Sequence, residues 1–113
     1  MTITQTKAEY QTECLIEVLN NEWKVFAIEN GRNFHEYLTM EVGRKYIKVW
    51  QSKCYDGVVR EGRSCFMFVD KETGACYKPA SHKAPAKGIR FYIESLLDTP
   101  EVVDQYGSFL YRR

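Results

Sequence analysis

The sequence predicts an α+β fold: a single antiparallel sheet of four or five strands packed with an N-terminal and a C-terminal helix. Three observations predict it. Helical spacing of apolar residues occurs at the two ends of the chain, strand-like alternation fills the middle, and turn dipeptides separate the alternating runs.

Residues 5–19 read as the first helix. Ala8, Leu15, Val18 and Leu19 fall on one face, Glu9, Glu13 and Glu17 line another, and Thr4 or Thr6 can cap the start. Residues 22–29 fit two patterns. Trp23, Phe26 and Glu29 continue the helical spacing towards a stop at Gly31, whereas Trp23–Ile28 is also strand-like and Asn30-Gly31 is a strong hairpin signal. The expectation is a strand.

From Glu36 the period is two. Tyr37–Val42 alternates, Gly43-Arg44 offers a two-residue turn, and Lys45–Trp50 alternates again, with Tyr46, Lys48 and Trp50 on one face and Lys45, Ile47 and Val49 on the other. Residues 51–63 read as a polar connection. Ser64–Asp70 is apolar on both faces and so belongs in the centre of the sheet. Asp70–Gly74 suits a type I turn ending in a left-handed glycine, after which Ala75–Lys78 returns antiparallel until Pro79, which cannot donate to a ladder. Pro85 suits the first turn of the second helix, with Ile89, Ile93, Leu96 and Leu97 as its buried face. Pro100–Asp104 adds a helical turn, and Phe109, Leu110 and Tyr111 dock back as a final strand or an ordered tail.

The chain has 113 residues, 44% of them hydrophobic, which is enough for one core and argues for one domain over residues 1–113 rather than a disordered chain. No apolar run approaches the roughly 20 residues of a membrane helix. The opening Met1–Lys7 lacks the basic-then-apolar layout of a signal peptide, so a soluble intracellular protein without membrane partners is expected. The cysteines Cys14, Cys54, Cys65 and Cys76 have no zinc-ligand spacing and read as reduced thiols, Cys14 and Cys65 as small hydrophobes within apolar patterns. No metal and no cofactor is expected. A glycine-rich phosphate loop and a serine nucleophile elbow are both missing, so the chain does not read as an enzyme.

Charge is nearly balanced overall, 16 Lys+Arg against 15 Asp+Glu, but segregated along the chain. Residues 1–42 carry three cations and seven anions, residues 43–93 eleven cations and four anions. A strongly basic face can therefore exist at neutral net charge and attract anionic partners. Within Tyr77–Arg90 there are four cations, one histidine and no acid. Lys87 and Arg90 fall in the first turns of the expected helix, where the macrodipole disfavours cations, and free backbone N–H groups there form an anion seat beside Lys78, Ser81, His82 and Lys83. Arg44, Lys45 and Lys48 extend this track across the sheet, with Lys53 beyond them and Tyr46, Trp50, Tyr55 and Tyr77 interleaved, as single-strand binding faces require.

Phe68–Gly74, Tyr77–Ser81, Ala84–Gly88 and Arg90, together with Gly43–Val49 upstream, resemble a group of short proteins encoded by tailed bacteriophages, over about residues 43–93. The chain departs from that group's pattern at His82, where an aromatic is usual, and at Ala75, where an acid is. The resemblance implies an origin, a protein made in the cytoplasm of an infected bacterium, and no defined activity. The expected function is that of a small phage accessory protein binding nucleic acid or another polyanion through its basic loop and sheet face. The alternative is a protein-interaction module, a host-factor inhibitor or minor virion component, whose partner is a host protein. The open edges of a four-stranded sheet also leave room for a homodimer.

Overall fold

The computed structural model describes residues 5–111. Its elements are α1 (Lys7–Glu29), β1 (Phe34–Val42), β2 (Tyr46–Tyr55), β3 (Val58–Val59), β4 (Ser64–Asp70), β5 (Ala75–Tyr77), β6 (Phe91–Tyr92) and α2 (Ile93–Asp98), followed by 3-10 turns at Pro100–Val102 and Ser108–Tyr111. The fold is α+β, as expected. One antiparallel sheet runs in the order β1-β2-β4-β5-β6, with β3 pairing on β2.

The first helix is longer than its sequence suggested, and residues 22–29 are its last turns rather than a strand. Leu15, Leu19, Trp23 and Ala27 recur every four residues and are all buried, so the helical stripe continues unbroken through the ambiguous segment. Thr6 closes the N-terminus in a capping box with Glu9; Thr4, the other candidate cap, lies outside the described residues. At the C-terminus Gly31 adopts φ 67°, and the N–H groups of Gly31 and Arg32 donate to the carbonyls of Ile28 and Ala27. Asn30-Gly31 therefore ends a helix in a Schellman cap instead of turning a hairpin.

The β1–β2 turn sits one residue later than expected, on Arg44-Lys45, because Gly43 N–H donates to the Tyr46 carbonyl at 2.9 Å. The supposed connection 51–63 holds further sheet: β2 runs on to Tyr55, and Asp56 (φ 48°) and Gly57 (φ 85°) form a two-residue turn into β3. Positive φ at both central residues is the twist-matched hairpin turn that Asp-Gly favours. β4 lies at the centre of the sheet, as predicted. Val49 pairs with Met67 but Trp50 with Cys65, so Phe66 is an extra residue in β4. That bulge puts Phe66 in the core beside Trp23 and Phe109, at centroid distances of 6.4 and 5.9 Å.

The second helix departs most from expectation. Residues 79–90 form a loop with a single bridge between Pro79 and Pro85, Gly88 takes φ 99°, and Ile89 is exposed. Ala86 and Arg90 donate their N–H groups to the carbonyls of Lys78 and Cys76. The segment thus returns along β5 into the short β6, and α2 has only six residues, of which Ile93 and Leu96 are buried. α1, the sheet, α2 and the tail residues Val103, Phe109 and Leu110 share one core; Phe109, Leu110 and Tyr111 form an ordered tail, not a strand. No helix among the described residues is long and apolar enough to cross a membrane.

Candidate functional site

Strand register gathers the basic and aromatic residues of the middle of the chain on the sheet face away from α1. Lys48 pairs with Phe68, and Phe68 with Tyr77. Side chains alternate along a strand, so Tyr46, Lys48, Trp50, Phe68 and Tyr77 share one face while Ile47, Val49, Met67 and Val69 enter the core on the other. Tyr46 meets Phe68 and Tyr77 edge-on at 5.8 and 6.0 Å.

Cations roof this aromatic floor. The Lys48 ammonium lies 5.7 Å from the Trp50 ring centre and 5.8 Å from that of Phe68, Lys45 lies 5.4 Å from Tyr46, and the Arg63 guanidinium stacks on Trp50 at 4.0 Å. Ammonium and guanidinium groups are held there by the negative faces of the rings. Glu41 fixes the arrangement by accepting the Trp50 Nε1–H bond at 2.9 Å and pairing with Arg63 at 3.7 Å. As a result Trp50 is only 7% exposed although it stands on the outer face. Its ring is covered by the chain's own cations and is not open to a stacking base.

The loop closes over one end of this floor. Pro79, Ala80, Ser81 and His82 face Arg63, Ser64 and Cys65 across a groove of about 500 Å³, with Trp50 among its walls. The fold therefore brings Ser81 and His82 to the sheet cluster that holds Lys48, and Lys45 and Arg44 continue the surface at the β1–β2 turn. Lys83 and Lys87 are exposed on the same loop. Lys78 is separated from the others, its ammonium lying 4.6 Å over the Tyr111 ring in the tail. Arg90 is half-buried, and its Nε atom is buried with no hydrogen-bond partner among the described residues.

The helix start expected to supply backbone N–H groups at Lys87 and Arg90 does not form. Lys87 and Arg90 precede α2 rather than opening a helix, and several of the loop's donors are spent internally. Ala80 and Ser81 donate to the Ala84 carbonyl at 3.0 and 3.2 Å, and Lys83 donates to Ser81 Oγ at 3.1 Å. Among the described residues the ion pairs are Arg63–Glu41 and Lys71–Glu9; none of Arg44, Lys45, Lys48, Lys78, Lys83, Lys87 or Arg90 takes part in one.

Sequence reasoning missed Arg63 as part of this surface and Phe68 as the buried ring beneath Lys48. Arg63 sits at the end of the stretch read as a polar connection, and only the tertiary path lays it on Trp50. The signal for Phe68 was available: it stands in the most apolar strand, and the Asp70–Gly74 hairpin sets it opposite Tyr77.

The four thiols differ in burial. Cys54 and Cys76 are the fully buried pair, whereas Cys14 and Cys65, expected inside apolar patterns, are partly exposed. Burial pushes the Cys65 thiol up, against the opposing pull of Lys48, and pushes the Cys76 thiol up to about 12 from an ordinary 9.0. The raised folded value means that the neutral thiol is favoured in the fold. Its stability is therefore whole below pH 9 and is lost as pH rises from there towards 12. Between pH 8 and pH 10.5 the unfolding free energy should fall by about 2 kcal/mol through this group. Urea titrations of wild type and Cys76→Ala at the two pH values check this, since most of the difference should vanish in the variant. Among the described residues no cluster of His, Cys, Asp or Glu could hold a metal ion.

A family model described as a family of unknown function (DUF7717) matches residues 1–112. No curated protein and no solved structure matches the chain.

Proposed function

Because the chain belongs to the DUF7717 family, a family of unknown function, its role has to be read from its surface, and we propose that it binds nucleic acid or another polyanion across the β2–β4 face and the Pro79–Lys87 loop. One observation carries this reading. Lys45 and Lys48 are held over aromatic rings on the outer face with no ion-pair partner among the described residues, and Arg63 lies beside them. Aromatic seats keep the cations near the sheet without neutralising them, so their field remains available to phosphates. The loop residues Ser81, His82, Lys83 and Lys87 extend the track, and Arg44 lengthens it at the turn.

The contacts go to the phosphate backbone rather than to stacked bases, because Arg63 and Lys48 already occupy the Trp50 ring. Single strands and duplexes should both bind, with little sequence preference. The reading involves no catalytic step and no cofactor. The resemblance to short tailed-phage proteins supports an accessory protein acting in the cytoplasm of an infected bacterium.

Fluorescence anisotropy with labelled single- and double-stranded oligonucleotides over a range of salt tests it. The wild type should bind at low salt and weaken log-linearly as salt rises. A Lys45→Ala/Lys48→Ala/Arg63→Ala variant should lose at least about tenfold in affinity and flatten the single-strand slope by about 2, roughly 0.7 for each phosphate contact removed. A Lys7→Ala/Arg32→Ala control, which removes the same kind of charge from α1 and its C-terminal cap, should bind like wild type. Binding that is absent at low salt, or equal in the two variants, overturns the reading. The exposed Tyr106, 91% accessible beside the groove of Gln51, Arg60 and Arg63, would then favour the alternative, a protein-interaction module.

A further inference from the structure

α1 is apolar on two opposite faces. One face holds Leu15, Leu19, Trp23 and Ala27 and is buried on the rest of the fold. The other carries Tyr10, Val18, Val25 and Ile28, which are 60, 36, 43 and 64% exposed, with the partly exposed Cys14 between them. Cys14, Val18, Asn21, Val25 and Ile28 follow one another at intervals of four, three, four and three, the spacing of a coiled-coil seam. From Tyr10 to Ile28 the stripe runs about 27 Å at 1.5 Å per residue. A helix packed on one side only has no need of such a stripe on the other.

We propose that this face is the dimer interface of the protein, α1 packing antiparallel against α1 of a second copy. Charge selects the occupant and its direction. Glu17 and Lys24 flank the seam on the same side, and neither has an opposite charge three or four residues away on its own helix. In an antiparallel pair that sets Cys14 against Val25 and Val18 against Asn21, the two helices overlap from Tyr10 to Glu29. Glu17 of each copy then meets Lys24 of the other, giving two ion pairs and no like-charge contact. A parallel pair instead sets Glu17 against Glu22 on both sides, a repulsion that offsets the attraction it gains between Lys24 and Glu29. The basic sheet face stays free in this arrangement, so the dimer stands independently of the polyanion reading.

Sedimentation equilibrium over a wide concentration range is the test. The wild-type mass should rise towards twice the 13.3 kDa of the chain. Val18→Glu/Val25→Glu should stay monomeric with an unchanged circular dichroism spectrum, because both positions are exposed in the monomer. Lys24→Glu should weaken the dimer at least tenfold, and adding Glu17→Lys should restore it, which a merely structural role for Lys24 would not produce. Oxidised Val25→Cys should form a covalent dimer that is lost when Cys14→Ser is added. A wild type monomeric at every concentration overturns the proposal. So does a wild-type Cys14–Cys14 crosslink, which requires parallel helices.

Discussion

Replacing Phe109 by Ala is expected to cost about 3–5 kcal/mol of unfolding free energy, the largest single effect predicted for this chain. Phe109 is fully buried and packs against Phe66 and Phe91 at centroid distances of 5.9 and 5.7 Å. It therefore joins the bulged residue of the central strand to the short edge strand β6. Truncation removes the ring's own burial and leaves a cavity that these two aromatics, each anchored in a strand, cannot collapse to fill. The midpoint of thermal unfolding should fall by roughly 10–20 °C for a domain of this size. Phe109→Leu keeps most of the volume and should cost less than half as much. Urea titration of the three proteins checks the ordering, and a loss below about 1 kcal/mol for the Ala variant would show that the tail does not belong to the core.

The second large effect is expected at Asn20. Its side-chain amide faces the free edge of β1 as one rung of another strand would: Nδ2 donates to the Leu38 carbonyl at 2.9 Å, and Oδ1 accepts from the Leu38 N–H at 2.8 Å. Exposed strand edges invite pairing with other chains, and here the helix itself satisfies the edge at its midpoint. Asn20→Ala leaves both backbone groups without a partner beside the fully buried Leu38 side chain. The cost should be about 2–4 kcal/mol, one to two for each group left unsatisfied. Asn20→Asp should also destabilise, because the carboxylate cannot donate to the Leu38 carbonyl. Hydrogen exchange gives a second readout: the Leu38 amide should exchange much faster in either variant, while amides in β4 change only with global stability. An unaltered Leu38 rate would rule out the clamp.

These two positions show where the sequence could and could not be read. Nothing in the pattern around Asn20 marks it, because its partner lies 18 residues away on an edge whose existence depends on the strand order. The sequence lets Phe109 dock but does not say against what, since its neighbours are set by a bulge and by a two-residue strand that leave almost no periodic signal. The ambiguous 22–29 segment was decided by burial. Both periodicities were present in the letters, and the continuous stripe from Leu15 to Ala27 against the sheet selected the helix. The expected second helix failed for a local reason that was visible. Gly88 interrupts the apolar spacing between Pro85 and Ile93, and the chain uses it at a positive φ to return along β5. Asp56-Gly57 was equally visible as a hairpin turn, yet only two residues follow it in the sheet.

By itself, then, the sequence determined the class of the fold, the central place of Ser64–Asp70, the hairpin at Asp70–Gly74, and the shared face of Tyr46, Lys48 and Trp50. Each of these follows from alternation or turn chemistry within a few residues. The tertiary structure decided the length of α1, the loop in place of a second helix's first turns, the laying of Arg63 on Trp50, and the separation of Lys78 from the other cations. These depend on which strands become neighbours and where a single extra residue shifts their register, and local periodicity carries no information about either.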